Sequence, residues 1–162
     1  MDETLDIILT ATKANQLFWL GRYVERVYLS LHLMRRYYDL MIEGKTASFE
    51  DYYQRLSVPN DMENNEVVRT SQMYDANNPS SILSELKAAY DNAIVLREDI
   101  KTESLAYIEM SLCHIKKCAE NNVSNITELQ PITDYLLAFF GSIYERVFNA
   151  HVKNLINICN LL

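Results

Sequence analysis

Leu17, Leu20, Val24, Val27, Leu31, Met34, Tyr38 and Met41 follow one another at steps of three and four residues. Such steps return to one side of an α-helix but scatter over both faces of a strand, so the stripe admits one regular structure. The spacing predicts a single amphipathic helix from Thr12 to Glu43, about 45 Å long at 1.5 Å per residue. Gly44 closes it, in the position where a helix end favours a left-handed residue. A helix of that length can bury its stripe only against partners of similar reach, which the rest of the chain is expected to supply.

Comparable stripes follow. Ile82, Leu86, Ala89, Ala93, Leu96 and Ile100 keep a seven-residue repeat after Asn78-Pro79, where asparagine can cap exposed amides and proline fits the first helical position. Leu105, Ile108, Leu112, Ile115 and Ala119 make the next face, with Thr102 as its cap and Asn121-Asn122 as its break. Asn125 with Glu128 forms a capping arrangement, Pro131 either fits the first turn of the last helix or kinks one that starts earlier, and Ile132, Leu136, Phe140, Ile143, Val147 and Leu155 carry the closing stripe. Ser48 with Asp51 is expected to cap a short helix of Phe49, Tyr52, Tyr53 and Leu56, and one more helix is expected within Met62 to Tyr74. The expected fold is all-α: an antiparallel bundle of four main helices with short connecting ones, one domain over residues 1–162.

Composition agrees and narrows the function. Three glycines and three prolines give little turn material for a β-sandwich and none for a glycine-rich phosphate loop, while 49% hydrophobic residues suffice for one core. A net charge of −7 works against adhesion to DNA or to anionic membrane surfaces. The acidic start MDETLDIILTATK lacks a basic region and a cleavage site, and no apolar run approaches the roughly 20 residues of a spanning helix, so the cytoplasm is the expected location. Cys113, Cys118 and Cys159 form no Cys-x-x-Cys pair and read as buried free thiols. With no Glu-x-x-His and no His-Glu-x-x-His, no metal or cofactor is expected, and Cys113 beside His114 points the two to different sides of a helix. Tyr37-Tyr38 and Tyr52-Tyr53 are candidates for a protein-binding rim.

The string FWLGRYVERVYLSLH, residues 18 to 32, sets a Glu-Arg pair inside an apolar helix, and FFGSIYERVFNAH at residues 139 to 151 nearly repeats it. Gly21 falls on Gly141, Glu25 on Glu145, Arg26 on Arg146 and Val27 on Val147. The interval is far too long for a solenoid unit, so an internal duplication with pseudo-two-fold related first and last helices is expected. A glycine four residues before a glutamate shares its side of the helix, which lets another backbone approach there. If the helices cross at their glycines, Glu25 reaches Arg146 and Glu145 reaches Arg26, two reciprocal ion pairs that offset the cost of burying charge.

FWLGRYVERV, the later NPSSILSELKAAYDNAIVLREDI and GSIYERVF together resemble the alpha-E family, bacterial all-helical domains named for their Glu-Arg motif. The matching residues are Trp19, Leu20, Gly21, Arg22, Glu25 and Arg26, then Asn78, Pro79, Ser80, Ser81, Ile82, Ala89, Asn92, Ala93 and Arg97. The chain is a shortened form, and Gly141-Ser142 stands where the family has glycine-arginine. The resemblance implies association with circularly permuted ATP-grasp ligases and transglutaminase-like proteases, systems linked to making or trimming peptide amide bonds.

Arg22, Glu25, Arg26, Arg97, Glu145 and Arg146 are therefore the candidate network. The plain reading is a structural set of ion pairs fixing helix register; the functional one adds a pocket for a carboxylate, phosphate or peptide terminus. Asn78, Pro79, Ser80 and Ser81 are first a helix cap and second an anion site. A different class is a helical RNase of the HEPN type, with Arg26 and Arg146 binding phosphate and His32 and His151 moving protons. Against it stand the valine after each arginine and the acidic balance. The expected function is an accessory or interaction domain with a protein partner, with homo-oligomerisation compatible.

Overall fold

The computed structural model describes residues 9–44, 65–147 and 149–157. Among these every regular element is helical: α1 (Ala11–Ile42), α2 (Asn65–Tyr74), α3 (Ile82–Val95), α4 (Arg97–Ile100), α5 (Thr102–Glu120), a 3-10 turn (Ile126–Leu129), α6 (Gln130–Arg146) and α7 (Ala150–Asn157). The short helix expected around Phe49 to Leu56 lies outside the described residues, as do Tyr52, Tyr53 and Cys159.

The α1 stripe becomes the spine of the core. Leu17, Leu20, Val24 and Val27 are fully buried, and Leu31 and Met34 nearly so. Each such side chain contributes roughly 1.5–3 kcal/mol of burial. Gly44 ends the helix at φ 65°, the left-handed conformation glycine adopts without strain. Ile82, Leu86, Ala89, Ala93, Leu96 and Ile100 bring α3 and α4 into the same core, and Ile108, Leu112 and Ile115 do so for α5. Tyr37 and Tyr38 pack against this core rather than standing free.

Neighbouring pairs fix direction. Lys13 meets Asp99 at 3.0 Å and Arg26 meets Glu85 at 2.6 Å, so α1 and α3 run antiparallel. The hydroxyls of Ser104 and Ser142 share a buried 2.8 Å hydrogen bond, and His114 meets the Glu128 carbonyl at 2.7 Å, which sets α5 and α6 antiparallel too. α7 lies across α1 at Gly21: a Cβ there would fall on the Ile156 carbonyl oxygen and stand 3.0 Å from its Cα.

Several boundaries depart from expectation. Asn78 accepts from the Ser80 amide in a turn ahead of α3, and Ser81 is the cap, its hydroxyl accepting from the Ser84 amide at 3.1 Å. Thr102 is the first residue of α5, not its cap; Lys101 takes that place at φ 72°. The closing helix is two. Val147 turns extended (φ −89°, ψ 111°), and Asn149 restarts the chain by accepting from the amides of His151 and Val152. Cys113 is exposed, while Cys118 is buried. No helix among the described residues is long and apolar enough to cross a membrane.

Candidate functional site

The charged centre of the molecule lies at the seam of α1 and α3. Ser81 opens α3, and one turn later Glu85 falls between Ile82, Leu86 and Ala89 on the buried face. Its side chain is 2% exposed. Glu85 Oε1 accepts from the Arg26 guanidinium at 2.6 Å, and the same Nη2 reaches the Ser80 hydroxyl at 3.2 Å. The second carboxylate oxygen, Oε2, is buried without a hydrogen-bond partner among the described residues. A buried, half-satisfied carboxylate is costly in its charged form. Burial accordingly pushes the Glu85 carboxyl up to about 7, with Arg26 and Arg22 pulling the other way.

Glu25 and Arg26 are adjacent in sequence but about 100° apart around the helix, so they serve different neighbours. Arg26 goes to α3. Glu25 shares the side of Gly21, which α7 covers. Burial raises the Glu25 carboxyl above its ordinary value, opposed by Arg22, and its Oε2 is also buried without a hydrogen-bond partner among the described residues. Arg22 thus lies between two carboxylates that favour their protons more than free ones do. The arrangement can hold a proton near neutrality at Glu85, and it keeps guanidinium donors at the rim, where the Arg26 side chain is 41% exposed.

The other sequence candidates lie elsewhere. Glu145 and Arg146 are exposed at the end of α6, and Arg146 pairs with exposed Glu103 at 3.4 Å. The reciprocal Glu25–Arg146 and Glu145–Arg26 pairs are therefore not formed, because Glu85 takes Arg26 and the α6 helix ends at Arg146. α1 and α6 touch instead through Tyr28 and Phe140, ring edge to ring face at 6.5 Å. Arg97 is exposed at the start of α4, a helix length from Glu85. His32 is exposed and stacks on Tyr28, away from the side that holds Arg26, and His151 is exposed beyond the break that separates it from Arg146.

Sequence reasoning missed Glu85. The signal was present: a lone acid at a stripe position of an otherwise apolar seven-residue repeat, three residues after Ile82 and four before Ala89.

A family model described as a predicted alpha-helical domain with a conserved ER motif, Alpha-E, matches residues 9–162. The chain belongs to the alpha-E family. No match is found among curated proteins or among solved structures. In this alpha-E domain, Glu25-Arg26, the pair assigned to the motif from the sequence, is not an internal ion pair. Its arginine binds the start of α3, and its glutamate lies one turn from Gly21, where α7 crosses.

Proposed function

We propose that this alpha-E domain is an accessory module of the cytoplasm, without turnover of its own, that works with an ATP-grasp ligase or a transglutaminase-like protein in peptide amide-bond chemistry. Its four long helices form one antiparallel bundle, and the Glu-Arg helix holds that bundle in register. The observation that carries this reading is the use of Arg26: its guanidinium is committed to Glu85 and Ser80, yet it stays 41% exposed. An arginine fork has five donors, so a partner's carboxylate or peptide terminus can share it without breaking the seam.

The test is co-expression of the full chain with an ATP-grasp ligase and, separately, with a transglutaminase-like protein from the same genome, followed by size-exclusion chromatography. Co-elution with one of them is expected, together with no ADP release when the chain alone is given ATP and amino acids. Turnover by the isolated chain, or elution apart from both proteins, would count against the proposal.

A further inference from the structure

Outside the α1–α3 seam lies an open cleft of about 580 Å³. Tyr23 of α1, Pro79 of the turn, and Leu83 and Ala88 of α3 give it an apolar floor. Lys87 and Lys116 stand on its rim, both exposed, against a single acid, Asp91. Neither lysine forms an ion pair among the described residues.

The apolar surface continues past the cleft. Trp19 is 40% exposed, its ring resting edge-on against Phe18 at 5.6 Å and tilted against Tyr23 at 5.7 Å. On α3, Ile94 is 42% exposed and extends the row of Lys87 and Asp91 by the next helical step. Because Lys13 is level with Asp99 and Arg26 with Glu85, Trp19 comes level with the Asp91 turn of α3. One face thus joins a braced tryptophan, an apolar floor and two free ammonium groups.

We infer that this face docks a segment of a partner protein that carries an aromatic or aliphatic anchor beside two or more carboxylates. The inference rests on the reading above that the domain works through a protein partner. Charge selects the occupant: a chain of net charge −7 repels acidic segments over most of its surface and attracts them where lysines outnumber acids. Tryptophan selects the anchor, since a large ring already held by its neighbours loses little freedom on binding. The cleft is open, which suits an extended segment lying from the lysines toward Trp19.

The test is selection of displayed peptides on the full chain, followed by titration of the enriched peptides. The variants are Trp19→Ala, the double change Lys87→Glu with Lys116→Glu, and Arg35→Glu with Arg36→Glu as an equal charge change on exposed α1 residues. Enriched peptides should pair an apolar anchor with at least two Asp or Glu. Binding should weaken about tenfold or more in Trp19→Ala and in the lysine double variant, and stay within about twofold in the arginine control, with melting temperatures confirming that each variant folds. Peptides without carboxylates, no enrichment, or indifference to the lysine reversal would overturn the proposal. If an ATP-grasp partner co-elutes equally with the lysine double variant, the face is wrong and the accessory role stands. If the peptides behave as expected but neither candidate partner co-elutes, the face stands and the partner class falls.

Discussion

The two Glu-Arg strings agree letter for letter at their core and occupy unlike surroundings. In α1, Leu20, Gly21 and Val24 are buried while Trp19 is exposed. In α6 the aligned positions reverse: Phe139, Ser142 and Ile143 are buried, and Gly141 and Tyr144 are exposed. The buried face has turned by about one residue, close to 100° around the helix. Gly21 is therefore pressed against the Ile156 backbone, whereas Gly141 has nothing within 4 Å of where its Cβ would be. What a charge pair does is decided by the face on which packing leaves it.

The glycines break this comparison most sharply. Gly21→Ala should cost about 2–3 kcal/mol in denaturant unfolding, because the new Cβ displaces the α7 backbone and not a side chain that can swing aside. Gly141→Ala should add about 0.5–1 kcal/mol by helix propensity alone. Equal effects of the two would mean that the strings are equivalent after all.

The arginines come next. Arg26→Ala leaves Glu85 buried without its partner and should lose about 1–2 kcal/mol at pH 8, scaled down because Arg26 is itself partly exposed. Arg146→Ala removes an exposed pair and should stay within about 0.5 kcal/mol. The Arg26→Ala loss should shrink toward pH 5, where Glu85 holds a proton and needs no counter-charge.

Titration sharpens the contrast in a third way. Burial raises the Glu85 carboxyl to about 7, so the folded state holds that proton more tightly than the unfolded chain does. The stability this contributes is complete below the unfolded carboxyl range and is lost as pH rises through about 7. Comparing melting temperatures of the wild type and Glu85→Gln across pH 5 to 8, roughly that window, should show a wild-type decline that the variant lacks.

Much of the architecture was legible because helical periodicity is a local property. The α1 stripe from Leu17 to Met34, the Gly44 stop, and Asn121-Asn122 with φ 51° at Asn122 all sit where the spacing put them. The alpha-E motif was legible as a string. The partners of its charges were not, because the reach from Arg26 to Glu85 depends on where a second helix docks. Two local signals could still have warned that the repeats differ. Arg22 aligns with the small Ser142, and Val24 with the large Tyr144, so bulky and small positions have already exchanged. The break after Arg146 was harder to see, since Val147 carries no helix-breaking chemistry, and only the capping capacity of Asn149 marked it.

The contact of Gly21 with Ile156 joins positions from nearly opposite ends of the sequence. During synthesis the groove beside Gly21 has to wait, uncovered, until Ile156 itself has been made. The packing of α1 at this crossing is thus completed well after α1 itself is synthesised, and a product cut short before α7 would display that bare strip to chaperones.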